Sequence, residues 1–246
     1  MFSNKYISIL GDSISTFKDV SNNTSYNSTI GNNRIYYGRD DHLDPIFVVD
    51  VNDTWFQIVL NKTNLKLCVN NSWSGWLVLD SDSNACGYGS RTDNLHNDHN
   101  NQMPDIIAIY LGTNDAHHKE VEIKPYNKKE IDDFINSNNK PTNFNEAYAL
   151  MLFNIKRNYP KAKLFGFTLL HFECLSKETN KIYYEVMVSL LKHFNVTIVD
   201  LHSDCKVTPS FDYFAESAFV HPNKYGMNEI ANTFINVLKE TYYYDK

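Results

Sequence analysis

Residues 7–15 read Ile-Ser-Ile-Leu-Gly-Asp-Ser-Ile-Ser, and this run is the strongest indication of the fold in the sequence. Its apolar first half is typical of a buried strand, which breaks at Gly11 and presents Ser13 at its carboxyl end. In an open α/β sheet, ligands bind at the carboxyl ends of the strands. Ser13 is therefore a candidate nucleophile, provided that the fold brings a base and an oxyanion hole to it.

Three later blocks supply candidates for the base and the oxyanion hole. His221 lies in the run Phe-Val-His-Pro-Asn-Lys-Tyr-Gly-Met, on a loop before a predicted C-terminal helix. Gly75 ends the run Asn-Asn-Ser-Trp-Ser-Gly, and Asn114 lies in Tyr-Leu-Gly-Thr-Asn-Asp. A backbone N–H and a side-chain amide are groups that donate to a developing oxyanion. Each residue alone also has an ordinary structural role, as a helix cap, a turn residue or a surface histidine.

Together, the four blocks resemble the SGNH/GDSL hydrolase family, in which a serine, a glycine, an asparagine and a histidine follow one another in this order. The resemblance covers nearly the whole chain. It implies that Ser13 is the nucleophile and that His221 is the general base. It also implies an oxyanion hole made of the N–H groups of Ser13 and Gly75 and the side-chain amide of Asn114. Such chemistry uses no cofactor.

One position departs from the family pattern. The family carries an aspartate three residues before the histidine, and this chain has Ala218 there. That aspartate holds the imidazole in one tautomer and stabilises its charged form. Three alternatives stay open: a backbone carbonyl near Ala218 orients the ring, Glu216 or Asp212 reaches in from an altered loop, or a natural or engineered Asp-to-Ala change weakens the site. We expect Asp12 and Asp115 to order the turns beside the site rather than to act as catalytic acids.

Apolar runs and helical periodicity alternate along the chain. Strands are predicted, in order, at 5–11, 65–69, 105–111, 162–169 and 196–200. Helices are predicted at 53–62, 143–158, 176–193 and 222–241, with a shorter one near 128–136. Asp53 is the expected cap of the first helix, and Pro222 is expected in the first turn of the last. This alternation favours a parallel sheet with helices on both faces. The family resemblance adds a three-layer α/β/α sandwich of the SGNH-hydrolase type, whose five strands have the flavodoxin-like order 2-1-3-4-5.

Long polar segments interrupt these elements. Residues 1–246 are predicted to form one domain with polar loops at about 18–50, 80–102 and 116–141. The first loop follows the nucleophile directly, and loops of this length are commonly functional, so we expect it to form a wall of the active site. Trp55 is expected in the core, whereas Trp73 and Trp76 flank the glycine of the second block and one of them is a candidate lining residue.

The composition excludes several classes of partner. The net charge is −6 and no long basic run occurs, so we expect no nucleic-acid partner. No run of about 18 apolar residues predicts a transmembrane helix, and we expect no membrane partner. The chain starts with its first strand and not with a signal-peptide pattern, which predicts a cytoplasmic protein, or a secreted one if a signal peptide has been removed.

Neither the cysteines nor the histidines predict a metal site. The cysteines are scattered, and we interpret them as free thiols, with two disulfide bridges as the alternative in a secreted protein: Cys68, Cys86, Cys174 and Cys205. Four histidines lie in polar loops at spacings that match no common ligand set: His96, His99, His117 and His118.

We therefore expect a serine esterase that cleaves an acyl ester through a Ser13 acyl-enzyme. The expected substrate is a small-molecule or carbohydrate ester, for example an O-acetyl group, because the long polar loops and aromatic residues such as Tyr36 and Tyr37 suit a sugar or aryl group. The alternative is a binding protein on the same fold that has lost efficient chemistry, for which Ala218 is the reason. A metal-dependent phosphoesterase is a third hypothesis and would depend on the loop histidines.

Overall fold

Five parallel strands form the centre of the fold in the computed structural model, which describes residues 2–20, 35–38, 47–79, 91–97, 101–216 and 218–244. The strands are β1 (Tyr6–Gly11), β2 (Lys66–Ser72), β3 (Ile106–Tyr110), β4 (Lys163–Phe167) and β5 (Thr197–Val199). Their hydrogen bonds give the order β2-β1-β3-β4-β5, and every neighbouring pair is parallel. The predicted flavodoxin-like sheet is therefore confirmed.

Helices surround this sheet, as the alternating pattern predicts. Within the described ranges they are α1 (Trp55–Thr63), α2 (Thr113–His117), α3 (Lys128–Ile135), α4 (Phe144–Asn158), α5 (Lys177–His193) and α6 (Lys224–Tyr244). Helix α1 packs against α6, whereas α4 packs against both α3 and α5, so the helices form two groups around the sheet. In the same ranges, no helix has both the length and the apolar character that crossing a membrane requires.

The central strand β1 brings three strand ends side by side. Its last residue, Gly11, pairs with Ser72 of β2 and with Tyr110 of β3. A Cβ atom at Gly11 would lie 2.6 Å from the side chain of Ser15, so glycine allows the chain to turn tightly after β1. The segments that follow β1, β2 and β3 therefore start from one edge of the sheet, where open α/β folds bind their ligands.

Side-chain caps set the starts of two helices at positions that differ from the prediction. Thr54 caps α1, one residue after the predicted cap Asp53. Asn223 accepts hydrogen bonds from two N–H groups in the first turn of α6. Helix α6 therefore begins at Lys224, and Pro222 precedes the cap instead of lying in the first turn.

Two elements near the sheet edge also differ from the prediction. Strand β2 continues to Ser72, three residues beyond its predicted end at Val69. Its polar residues Asn70 and Asn71 are buried, and their side-chain amides donate to backbone carbonyl groups, which compensates for the loss of water. Helix α2 was not predicted, because a single turn after Gly112 is too short to show a helical period.

The tryptophan that was expected in the core lies there. Trp55 is fully buried, and its indole N–H donates to the hydroxyl of Ser15 at 3.1 Å. This bond ties the first turn of α1 to the turn that follows β1. Three cysteines are free thiols: Cys68, Cys174 and Cys205. The fourth, Cys86, lies outside the described residues.

The predicted polar loops are described only in part. From the first loop, 18–20, 35–38 and 47–50 are described, and from the second, 91–97 and 101–102. The third loop contains the predicted short helix, which is α3.

Candidate active site

Ser13 opens a single 3-10 turn directly after β1. The carboxylate of Asp12 accepts from the N–H of Ile14 and caps this turn. The hydroxyl of Ser13 is therefore not used as the cap, which is the structural role that the sequence also allowed. Ser13 is buried, and its Oγ lies 2.9 Å from Nε2 of His221, although 208 residues separate the two.

A short closed loop carries His221 to this position. Phe214 and Pro222 form an antiparallel bridge, and the N–H of Asn223 donates to the carbonyl of Tyr213 at 2.8 Å. Both ends of the loop are therefore fastened next to each other. As a result, residues on the outward arm of the loop lie beside His221 on the returning arm.

The residue that this loop brings to the histidine is Glu216. Its Oε1 lies 2.7 Å from Nδ1 of His221 and also accepts from the backbone N–H of His221 at 3.2 Å. The side chains of Asp212 and Ala218, the other candidate positions, are exposed. With Nδ1–H donating to Glu216, Nε2 is left to accept from the Ser13 hydroxyl. The imidazole of His221 therefore has a carboxylate partner at Nδ1.

Three hydrogen bonds surround the carboxylate of Glu216. Besides the two from His221, the phenol of Tyr36 donates to Oε2 at 3.2 Å. Partial burial raises the pKa of Glu216, but these hydrogen bonds and the charge of the imidazole outweigh burial, and the pKa lies below its ordinary value. Glu216 is therefore ionised at neutral pH, as a partner of an imidazolium has to be.

Gly75 and Asn114 lie at the ends of the two neighbouring strands. Gly75 has a φ of +77°, a conformation that favours glycine, and no described atom lies within 4 Å of where its Cβ would be. The amide of Asn114, in the first turn of α2, donates one hydrogen to the carbonyl of Trp76 at 2.9 Å. An amide carries two hydrogens, so the second remains for another acceptor.

Asp115 holds the segment that follows Gly75. Its carboxylate accepts from the N–H of Val78 at 2.8 Å and from the N–H of Leu79 at 2.9 Å. Burial raises the pKa of Asp115 from 3.8 to about 6, although these backbone hydrogen bonds oppose the shift. Two consecutive residues of α2, Asn114 and Asp115, therefore fasten the same segment.

Asp12 is likewise buried beneath the turn of Ser13. Burial raises its pKa, and the hydrogen bond from Ile14 opposes the increase. Both aspartates thus contact backbone groups of the turns that they were expected to order. Within the described residues, neither aspartate side chain makes a hydrogen bond to Ser13 or His221, so both act on the backbone of these turns.

Sequence reasoning missed one residue, Arg91. It is fully buried, and its guanidinium donates to the carbonyls of Gly11, at 2.8 Å, and Asn71. It also lies 4.7 Å from the centre of the Trp73 ring, a cation–π contact. Arg91 thereby ties the ends of β1 and β2 together. Nothing in the polar segment around Arg91 distinguishes it from a solvent-exposed arginine.

The tryptophans and the first polar loop also contact this region. Trp73 is buried and packs edge-on against the partly buried Trp76, with ring centres 5.3 Å apart. Of the first loop, the described residues 35–38 include Tyr36, whose ring stacks on the imidazole of His221. The expectation that this loop borders the site therefore agrees with the position of these residues.

The loop histidines lie in separate contacts. His96 is 3.2 Å from the hydroxyl of Tyr159, His117 is 2.7 Å from the carbonyl of Thr113, and His118 is 2.8 Å from the carboxylate of Glu120. His99 lies outside the described residues. Among the residues that are described, no three His, Cys, Asp or Glu side chains are arranged to hold a metal ion.

Comparisons with known proteins agree with this architecture. The profile of the GDSL-like lipase/acylhydrolase family matches residues 5–238. A candidate GDSL-like lipase from Bacteroides uniformis ATCC 8492 has 24% identity and a TM-score of 0.63, with 96% of each chain covered. A protein from Lactobacillus plantarum has 16% identity and a TM-score of 0.67, with 98% of this chain and 99% of that chain covered.

A further solved structure is an active-site mutant of a family two carbohydrate esterase from Clostridium thermocellum. It has 17% identity and a TM-score of 0.58, with 98% of this chain and 64% of that chain covered. At such identities the likeness concerns the fold. No curated protein sequence matches the chain.

Proposed function

Because the chain belongs to the GDSL-like lipase/acylhydrolase family, a family of hydrolases, we propose that it is a serine esterase with Ser13 as nucleophile and His221 as general base. One observation carries the proposal: the hydroxyl, the imidazole and the carboxylate of Glu216 form a continuous series of contacts of 2.9 Å and 2.7 Å. A nucleophile within hydrogen-bond reach of a base, and a base oriented by a third group, is the arrangement that serine hydrolases use.

The first half of the proposed reaction forms an acyl-enzyme. Nε2 of His221 takes the proton of the Ser13 hydroxyl while Oγ attacks the ester carbonyl carbon, and the carbonyl oxygen becomes an oxyanion. When the tetrahedral intermediate collapses, the bond to the leaving alcohol breaks and His221 returns the proton to that alcohol. Glu216 stabilises the imidazolium that exists between the two proton transfers.

The second half releases the acid. A water molecule gives its proton to His221 and attacks the acyl carbon, and the proton then goes to Ser13 Oγ as the acyl bond breaks. Both halves produce an oxyanion at the same place. The proposed donors are the N–H groups of Ser13 and Gly75 and the second amide hydrogen of Asn114. They follow β1, β2 and β3, whose ends lie side by side.

The contacts of Asn114 and Asp115 support this oxyanion hole. Because the carbonyl of Trp76 holds one amide hydrogen of Asn114, the amide does not rotate freely. Because Asp115 holds Val78 and Leu79, the backbone after Gly75 is fixed as well. Donors that are fixed before the reaction need no reorganisation when the oxyanion forms, and this is what makes such hydrogen bonds effective.

For the substrate, we propose a small or carbohydrate O-acyl ester. The long polar segments of the sequence and the aromatic side chains of Tyr36 and Trp76 support a polar or sugar-bearing leaving group, and one fold neighbour is a carbohydrate esterase. The alternative of a binding protein that has lost its chemistry rested on Ala218. The carboxylate of Glu216 beside the imidazole argues against this alternative, because Glu216 can take the role of the aspartate that position 218 lacks.

The proposal is tested with a fluorophosphonate probe and with p-nitrophenyl acetate. We expect the wild-type protein to be labelled and active, and Ser13→Ala to lose labelling and up to about 10⁶-fold in kcat. Ser203→Ala, which changes an exposed serine in the turn after β5, is the matched control and should keep both. Full activity of Ser13→Ala would remove the nucleophile assignment.

The substrate class needs a second measurement. Acetylated oligosaccharides and nitrophenyl esters of increasing acyl length are compared by kcat/KM. A preference for the acetylated sugars supports the carbohydrate ester, whereas a preference for long acyl chains contradicts it.

A further inference from the structure

Tyr36 contacts the base side of the site through its backbone as well as its side chain. Its N–H donates to Oγ1 of Thr16 at 2.9 Å, and that hydroxyl donates to the carbonyl of Ser13 at 2.8 Å. Thr16 is fully buried. The backbone of Tyr36 is therefore connected to the nucleophile residue through a single buried hydroxyl.

The side chain of Tyr36 reaches the other two residues of the proposed site. Its ring lies parallel to the imidazole of His221, with the ring centres 3.6 Å apart and an angle of 12° between the planes. Its hydroxyl donates to Oε2 of Glu216, whereas Oε1 accepts from His221. Each carboxylate oxygen of Glu216 thus has its own partner. The side chain of Tyr36 both covers the imidazole of His221 and binds the carboxylate of Glu216.

The next residue holds the same loop at a second point. Tyr37 is buried, and its hydroxyl donates to the carbonyl of Pro222 at 2.8 Å. Pro222 directly follows His221. Two consecutive tyrosines therefore hold the loop on both sides of the imidazole, Tyr36 at Glu216 and Tyr37 at Pro222.

We infer that Tyr36 is a positioning residue of the proposed base: it fixes the carboxylate of Glu216 through Oε2 and covers one face of the His221 imidazole. The inference rests on the proposed function. A carboxylate with one oxygen left to solvent rotates between partners, and the phenol prevents this by a hydrogen bond to a charged group. The face of an aromatic ring also attracts a cation, so the stacked ring favours the imidazolium that forms during the reaction.

Two substitutions separate the hydroxyl from the ring. Tyr36→Phe keeps the stacked ring and removes the hydrogen bond to Glu216, and we expect kcat to fall about tenfold with KM nearly unchanged. Tyr36→Leu removes the ring as well, and we expect about a fivefold further decrease. Thermal unfolding of each variant shows what fraction is folded at the assay temperature.

The chain offers a matched control outside the site. The hydroxyl of Tyr184 donates to the carboxylate of Asp200 at 2.8 Å, and its ring stacks on His202 at 4.6 Å. Tyr184→Phe therefore removes the same kind of hydrogen bond at another histidine and carboxylate. We expect it to leave kcat unchanged.

A double-mutant cycle tells positioning from a merely structural role. If the phenol acts through Glu216, Tyr36→Phe should change kcat by less than about twofold once Glu216→Gln is present. An equal loss in both backgrounds, or a kcat of Tyr36→Phe and Tyr36→Leu that stays at the wild-type value, overturns the inference.

A spectroscopic measurement keeps this test separate from the test of esterase activity. The Nδ1–H of His221 should give a downfield proton resonance, identified by its loss in Glu216→Gln. We expect this resonance to persist in Tyr184→Phe and to broaden or disappear in Tyr36→Leu. A wild-type protein that neither reacts with the phosphonate nor cleaves esters contradicts the proposed function. An unchanged resonance in Tyr36→Leu contradicts the role of Tyr36.

Discussion

The two sides of the proposed site each contain a carboxylate, and the two carboxylates are held in opposite ways. On the base side, the side chain of Glu216 is 32% exposed and contacts the imidazole of His221. On the oxyanion side, Asp115 is buried and accepts from backbone N–H groups. The pKa of Glu216 is lowered, because its hydrogen bonds outweigh partial burial, whereas burial raises that of Asp115 to about 6.

This difference separates a group whose charge would serve the proposed reaction, Glu216, from a group that fixes the backbone, Asp115. A carboxylate that faces an imidazole stabilises the imidazolium only when it is ionised. One that accepts backbone N–H groups fixes a loop instead. The base side lies on a loop, so its carboxylate can come from position 216 instead of 218 as long as an oxygen reaches Nδ1. The proposed oxyanion donors Gly75 and Asn114 instead follow the ends of β2 and β3.

Of the two carboxylates and the groups around them, removing the charge on the base side is expected to change kcat most. Glu216→Gln leaves a group of the same size that cannot stabilise the imidazolium, and we expect kcat to fall about 10⁴-fold, as when the triad carboxylate of a serine protease is neutralised. Steady-state hydrolysis of p-nitrophenyl acetate measures it.

The control for this variant is Ala218→Asp. It adds a carboxylate at the position usual in the family, and we expect kcat to stay within about threefold, because Nδ1 already has a partner. A sharp increase in kcat, or full activity of Glu216→Gln, would show that Glu216 does not orient the imidazole.

On the oxyanion side, the expected effect is smaller. Asn114→Ala removes one donor of three, and we expect kcat to fall about 10²–10³-fold with little change in KM. Asn139→Ala, at an exposed asparagine, is the control. The assignment is wrong if only KM changes, since Asn114 would then bind substrate without stabilising the oxyanion.

The smallest effect concerns stability, and it tests the contrast between the two carboxylates directly. Asp115 has a folded-state pKa of about 6, above its ordinary 3.8, so it contributes stability that is complete below about pH 3.8 and is lost as the pH rises through 6. This contribution is at most about 3 kcal/mol. Glu216 has a lowered pKa, so its contribution is present above its ordinary pKa of 4.5 and is lost as the pH falls through its lower folded-state pKa.

Urea unfolding between pH 3 and pH 7 measures both contributions. The difference in unfolding free energy between the wild type and Asp115→Asn should shrink as the pH rises, whereas the difference from Glu216→Gln should grow. If the two differences change in the same direction, the two carboxylates are not held in opposite ways.

The elements that sequence patterns predict well are those with apolar periodicity. The run before Gly11 predicts a buried strand because its apolar side chains are stable only in the core. The blocks around Ser13 and His221 predict the base side because they follow the order of the family's motifs along the chain. Asn70 and Asn71 read as loop residues, since nothing local shows that their amides find carbonyl partners.

Partners that are distant in sequence explain the rest. Arg91 is buried because it binds backbone carbonyl groups at the ends of two strands. Every residue has a backbone carbonyl, so the sequence does not show where such partners lie. Glu216 could be named only as one of several candidates, because the path of its loop depends on the bridge between Phe214 and Pro222. The stacking of Tyr36 on His221 depends on tertiary contacts in the same way.

His221 follows Ser13 by 208 positions in the chain, and this separation bears on biosynthesis. A ribosome makes the chain from its amino end, and the strands β1, β2 and β3 are complete about 110 residues before the histidine is added. The proposed oxyanion donors are therefore synthesised while the proposed nucleophile, Ser13, still lacks its proposed base. By the proposed mechanism, the site is complete only when the loop of His221 has closed, so we expect a nascent chain not to hydrolyse esters.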